Sequence, residues 1–231
     1  MILTNKTVCI TAGNKGLGRE IVKLLLNKCS RIIIIDRSEQ LLKHDKITYI
    51  RIDLSNEKPP IQDVDIFISN LGMSVGPKTV DDMSYEEMCK MIHVNISLQI
   101  WFYKNFKYKK FVFINSVLSY VGLEKYSFYA ASKAFIRILN HSLIREGKDT
   151  LIVYPYKIDT PMFKEVKDIY TLKAEDVAKQ VVLGIEKDKR EIWIPWFFRI
   201  FVFIFRIIPF CVESWILSNV SKLFLRKKKV N

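Results

Sequence analysis

The sequence predicts an α/β fold: one domain built on a doubly wound parallel sheet, followed by an apolar helical extension. Three observations carry that prediction. Residues 7–11 form a short apolar run, Ala12-Gly13-Asn14-Lys15-Gly16-Leu17-Gly18 makes a turn, and Ile21, Val22, Leu24 and Leu25 then recur at helical spacing. Residues 32–35 are an unbroken β-branched run, as expected of a parallel strand buried on both faces. Strand-like and helix-like stretches go on alternating after that, the pattern of crossover connections on a parallel sheet.

Each element follows in turn. Strand, glycine turn and helix in that order form a dinucleotide-binding opening, in which backbone approaches a pyrophosphate and a helix N-terminus faces its charge. The second strand ends in Asp36-Arg37, where such folds read the ribose. A third strand over 47–52 ends at Asp53, and a fourth over 64–69 ends at Asn70-Leu71-Gly72. About sixteen residues separate Asp53 from Asn70, with Pro59-Pro60 among them, so the crossover helix there is expected to be vestigial. A helix over 84–103 carries Asn95, a strand over 111–115 leads to Ser116, and a strand over 151–154 leads to Pro155. Ligands of such a sheet bind at the C-terminal ends of the strands, where these residues fall.

Composition narrows the class. With 49% hydrophobic residues and only 8 Gly and 7 Pro in 231, the chain is neither disordered nor fibrous. Cys9, Cys29, Cys89 and Cys211 have neither metal-type spacing nor a disulfide framework, which predicts a reducing compartment and no metal. No signal peptide is expected, since the first ten residues already read as a strand. The net charge of +13 raises the question of nucleic acid. Residues 197–231, however, hold seven basic residues against one Glu, and the other lysines are dispersed as on a solvated surface, so no nucleic-acid partner is expected.

The chemistry centres on Tyr129-Ala130-Ala131-Ser132-Lys133. On a helix, Tyr129 and Lys133 share one face. A phenol titrates near ~10, and an ammonium beside it favours the phenolate, so Lys133 is expected to pull Tyr129 toward neutrality. Over 7–185 the chain resembles the short-chain dehydrogenase/reductase family, and Ser116 stands thirteen residues before Tyr129, that family's usual spacing. The resemblance implies a catalytic tetrad of Asn95, Ser116, Tyr129 and Lys133. In it Tyr129 exchanges a proton with the substrate oxygen, Ser116 hydrogen-bonds that oxygen, Lys133 tunes Tyr129 and holds the nicotinamide ribose, and Asn95 anchors a water. It further implies cofactor contacts from Thr11, Gly13, Asn14, Lys15, Gly16, Leu17 and Gly18, from Asp53 and Leu54 near the adenine, from Asn70 and Gly72, and from Pro155, Ile158 and Thr160. Two departures stand out: Ala12 replaces the first glycine of the turn, so Gly13 is expected to supply its freedom, and Tyr156 replaces the glycine usual after Pro155.

Asp36 could bind both ribose hydroxyls and favour NADH, whereas Arg37 and Lys15 could pair with a 2′-phosphate and favour NADPH. Two cations against one carboxylate tip the expectation to NADPH. Four short stretches resemble 3-ketodihydrosphingosine reductases within the family: Arg37-Ser38-Glu39-Gln40-Leu41-Leu42, Gly72-Met73-Ser74-Val75, Asp159-Thr160-Pro161-Met162-Phe163 and Val177-Ala178-Lys179-Gln180. The expected reaction is reduction of a lipid ketone. The alternatives are a steroid, long-chain 3-ketoacyl or small carbonyl substrate, or a scaffold without turnover. The resemblance also makes a homodimer or homotetramer plausible, through the helices holding Asn95 and Tyr129.

The final segment reads differently. The domain boundary is set after residue 190, because residues 192–217 hold only three charges, Arg199, Arg206 and Glu213, seven apart. Trp193, Trp196, Phe197, Phe198, Phe201, Phe203 and Phe205 fill much of the rest. A core or subunit-interface helix and a spanning helix compete with a third reading. Pro195 and Pro209 bracket only thirteen residues, too few for the roughly 20 that a span needs. The expected arrangement is therefore helices lying in a membrane interface, arginines reaching the headgroups, with Arg226-Lys227-Lys228-Lys229 adding attraction for anionic lipid. Lys228 and Lys229 also resemble a dilysine retrieval signal, which would place a eukaryotic chain on the cytoplasmic face of the endoplasmic reticulum.

Overall fold

The computed structural model describes residues 1–160, 162 and 170–225, the side chains of 220–225 excepted. Pro161 and Phe163 of the subfamily-like stretch, and the basic run 226–229, lie outside the described residues.

Seven parallel strands form one sheet in the order β3-β2-β1-β4-β5-β6-β7. They are β1 (Thr7–Thr11), β2 (Arg31–Asp36), β3 (Ile47–Arg51), β4 (Ile66–Ser69), β5 (Lys110–Ile114), β6 (Thr150–Pro155) and β7 (Glu191–Ile194). The order reverses between β1 and β4, which opens a crevice at their C-terminal ends. Alternation along the strands feeds two cores. Ile10, Ile32, Ile34, Ile68 and Val153 face one side, where α1 (Gly16–Leu26) and α5 (Ala174–Glu186) pack. Cys9, Ile33, Ile35, Phe67, Phe113 and Tyr154 face the other, toward α3 (Leu98–Asn105) and α4 (Ser127–Arg145).

α2 (Tyr85–Ile92) starts at a capping box in which Ser84 and Glu87 satisfy each other's backbone N–H groups. It runs into a π-helical turn, His93–Ser97, and then into α3, so the expected single helix contains a wide turn at Asn95. No helix forms between β3 and β4, as the short connection implies. Aromatic rings fill the sheet there, with Phe67 stacked on Phe111 at 5.0 Å and Phe102 and Phe106 against it.

The expected boundary after residue 190 needs correction. Glu191–Ile194 is the edge strand of the sheet, with Ile192 paired to Val153 and Ile194 to Pro155. Ile192 and Ile194 are buried, and Trp193 packs on Tyr154 at 4.6 Å and Tyr120 at 4.8 Å, so Trp193 is no part of an outward aromatic face. An apolar edge strand running straight into an apolar helix leaves no change of composition to mark the junction. Beyond Pro195 come α6 (Phe198–Phe205) and α7 (Phe210–Leu225). Among the described residues no helix is long and apolar enough to cross a membrane.

Candidate active site

A cleft of about 460 Å³ opens at the C-terminal ends of the strands. One end is built by the glycine turn. Gly16, at φ 53°, and Leu17 line it, and no side chain caps the N-terminus of α1, whose first turn carries no acid. That leaves unpaired N–H groups and a positive dipole end at the cleft, a ready site for an anion. Gly18 is required by packing, since a β-carbon there would stand 2.2 Å from the Ala12 carbonyl oxygen. Gly13 likewise leaves room for Ile10 and Ile34, at 2.9 and 3.0 Å. The left-handed conformation expected of Gly13 is instead taken by Ala12, at φ 52°. The substituted residue itself carries the strain, about 1–2 kcal/mol for a residue with a β-carbon.

At the same end, Asp36 accepts hydrogen bonds from the Asn14 and Ser38 backbone N–H groups at 3.2 and 3.0 Å and from the Ser38 hydroxyl at 2.9 Å. Arg37 and Lys15 are exposed and line the cleft. The Asn14 side chain is buried and does a different job from the one expected of it. Its amide donates to Ser38 Oγ and the Glu39 carbonyl and its oxygen accepts from Leu41 N–H, so it ties the loop after β2 to the glycine turn.

The middle of the cleft is set by β4 and β5. Thr11 is fully buried, its hydroxyl accepting from Asn70 and Leu71 N–H, while the Asn70 amide donates to the Thr11 and Ala12 carbonyls. A β-carbon on Gly72 would lie 3.5 Å from Lys133 Nζ and 3.7 Å from Asn95 Oδ1, so the Gly72 backbone passes directly beside both groups. Asn95, completely buried, accepts from Met73 N–H and donates to the Met73 carbonyl and Ser132 Oγ. The π turn presents it inward, and its observed partners are backbone and Ser132.

The far wall holds Ser116, Tyr129 and Lys133, with Pro155, Ile158 and Thr160 beside them. Tyr129 and Lys133 share the inner face of α4 as their spacing predicts, and both are buried. Lys133 Nζ donates to the Ile114 carbonyl at 3.1 Å and stands 5.8 Å from the Tyr129 ring centre. The expectation that Lys133 pulls Tyr129 toward neutrality is overturned. Burial pushes the phenol well above its ordinary value, and a hydrogen bond with Ser116 offsets this only in part. Burial also lowers Lys133 to about 8.

The structure thus gathers Lys15, Gly16, Leu17, Asp36, Arg37, Asn70, Gly72, Ser116, Tyr129, Lys133, Pro155, Ile158 and Thr160 around one cleft. Thr11, Gly13, Asn14, Gly18 and Asn95 support it from behind. Asp53 and Leu54 do not line it: exposed Asp53 accepts from Ser55 N–H, and the Leu54 carbonyl lies 3.3 Å from His93 Nε2. Lining residues that sequence reasoning missed include Leu118, Leu123, Tyr126, Tyr156 and Met162. Tyr156 could have been found, because it occupies the position where glycine was expected.

An uncapped helix and glycine turn at the switch point of a parallel sheet, with a buried Ser-Tyr-Lys wall opposite, define a dinucleotide-binding oxidoreductase. The short chain dehydrogenase family matches residues 6–170, and the chain belongs to that family. The human "Short-chain dehydrogenase/reductase 3" is 25% identical over 90% of this chain and 80% of its own. Bovine "3-ketodihydrosphingosine reductase" is 24% identical over 79% of this chain and 69% of its own. A short chain dehydrogenase from Burkholderia cenocepacia, solved in complex with NADP, superposes with a TM-score of 0.70 at 19% identity, over 84% and 89% of the two chains.

Proposed function

We propose that this oxidoreductase reduces the ketone of a lipid to a secondary alcohol with NADPH, 3-ketodihydrosphingosine being the substrate of choice. One observation carries the reading: the wall that holds Ser116, Tyr129 and Lys133 continues through Tyr156, which stacks on Phe198 of α6 at 4.6 Å. The exposed aromatic extension therefore abuts the cleft. Leu118, Leu123, Ile158 and Met162 make the same cleft a suitable place for an aliphatic chain. The likeness to a bovine protein named for this reaction supports the same substrate. A small soluble carbonyl has no use for such surroundings.

The nicotinamide cofactor, when bound, supplies the hydride. The α1 N-terminus and glycine turn would hold its pyrophosphate. Arg37 and Lys15 would take a 2′-phosphate, a choice supported by Asp36, whose two oxygens already serve the glycine turn and the loop after β2. Tyr129, kept protonated by burial, gives its proton to the carbonyl oxygen. Ser116 orients that oxygen. Lys133 holds the ribose and keeps a positive charge beneath the developing negative one. Asn95 fixes the Met73 backbone and Ser132, the neighbours of this wall.

The outward face of α6 and α7 would dock on a membrane interface, bringing the cleft to its substrate. Pairing of copies through α2, α3 and α4 belongs to the same proposal, supported by exposed Ile92, Phe135 and Ile138. The test is turnover of purified full-length protein with both reduced cofactors and a panel of 3-keto-lipids, steroids and small ketones. Preference for a small ketone would overturn the lipid assignment. Arg37→Ala should raise the KM for NADPH and leave that for NADH almost unchanged; equal losses for both would mean that this end does not read the ribose.

A further inference from the structure

The surface where the extension leaves the sheet carries a feature that hydride transfer does not use. Tyr120 packs its ring against Tyr154 and Trp193, and two guanidinium groups lie over that ring. Arg137, from α4, stands 4.3 Å from the ring centre, and Arg206, at the C-terminal end of α6, stands 5.1 Å from it. Arg137 Nε donates to the Ser119 carbonyl at 2.9 Å. Among the described residues neither guanidinium forms an ion pair. The neighbouring carboxylate, Glu191, is drawn 3.3 Å from Arg199 instead. Two like charges over one ring repel each other, and each keeps donors that an oxyanion would satisfy in a bidentate fork. Cation–π attraction fixes where they point.

Around this pair the extension is apolar and open. Ile200, Phe201, Phe203, Ile207 and Phe210 are between 50% and 80% exposed. An aromatic face beside unpaired arginines is complementary to one environment above others, a lipid interface with negative headgroups. We propose that Arg137 and Arg206, converging on Tyr120 at the root of α6, form a binding site for the phosphate of an anionic phospholipid. This rests on the membrane-docking reading and adds a particular headgroup site to it.

The experiment measures sedimentation of the full chain with vesicles of phosphatidylcholine alone and of phosphatidylcholine containing phosphatidylserine. Wild type should favour the serine-containing vesicles. Arg206→Lys keeps the charge and the whole basic tail but loses the planar fork. It should weaken binding to those vesicles about fivefold through loss of the bidentate fork, and weaken phosphatidylcholine binding less, because the choline ammonium offsets the charge of the phosphate that lipid also carries. Equal binding by Arg206→Lys and wild type would reduce the effect to general attraction and overturn the site while leaving membrane docking intact. Wild type that ignores both vesicles and self-associates would assign the aromatic face to a second copy and overturn both readings. Inorganic phosphate separates a headgroup from a free anion. If it raises the Tm of wild type but not of Arg206→Gln, and vesicles show no preference, the lipid assignment is wrong.

Discussion

Two apolar runs of this chain meet opposite fates. Ile32, Ile33, Ile34 and Ile35 in β2 are at most 1% exposed, whereas Ile200, Phe201, Phe203 and Ile204 in α6 are 44–65% exposed. Hydrophobicity alone does not separate them. The isoleucines alternate between two faces that both find helices, so each face of the strand has a partner within the chain. α6 buries Val202 and packs Phe198 on Tyr156, and presents most of its other residues outward. Apolar content thus states that a surface wants covering, and only topology states whether the chain itself can cover it.

The sharpest way to probe the buried side is at its chemistry. Tyr129→Phe should lower turnover by about 10²-fold or more while cofactor affinity, measured by fluorescence titration, stays near wild type. Near-normal turnover would remove Tyr129 from the proton path. Next comes the comparison itself. Ile34→Ala should cost about 2–5 kcal/mol in denaturant unfolding, because nothing can collapse into the gap. Phe203→Ala should change stability by less than about 0.5 kcal/mol and weaken vesicle binding instead. A large loss of stability in Phe203→Ala would show that α6 has a partner within the fold.

A third effect depends on pH. Burial lowers Lys133 to about 8 in the folded protein, from an ordinary lysine value of 10.5. Below about 8 it is charged in both folded and unfolded states, and the folded state bears the cost of burying that charge. Between about 8 and 10.5 the folded state has released the proton and the unfolded state has not, so Lys133 contributes rising stability with pH. The stability advantage of Lys133→Met over wild type should therefore shrink across that window, as followed by Tm in cofactor-free buffer. A constant gap would mean that Lys133 is not buried as a charge. Smallest of the four, Ala12→Gly should stabilise by about 1 kcal/mol, because glycine relieves the left-handed strain. A loss of stability would mean that the Ala12 methyl contributes more through contacts than its backbone costs.

Much of this was legible in the sequence, for reasons particular residues make plain. The strands at 32–35 and 111–115, the uncovered β3–β4 connection and the shared face of Tyr129 and Lys133 are set by local spacing, whereas the convergence of Ser116 on them was implied by the family resemblance. What escaped depends on contacts between distant residues. The direction of the Tyr129 shift is decided by everything packed around the phenol, which a four-residue motif does not contain. The role of Asn14 depends on where the 38–41 loop lands. Strand β7 was hidden because its apolar residues merge with those of α6, and only pairing with β6 reveals where the sheet ends.

That last strand has a consequence for kinetics. Ile194 is the register partner of Pro155, and Tyr156 N–H donates to its carbonyl at 2.7 Å, so three residues separate the final rung of the sheet from the start of α6. There is no tether on which the catalytic domain could swing. If the extension docks on a bilayer as proposed, the enzyme would hold one orientation there and sample a lipid substrate by lateral diffusion in two dimensions. Its rate should follow the mole fraction of keto-lipid in the surface, and diluting the vesicles at constant composition should leave the turnover of the bound enzyme unchanged.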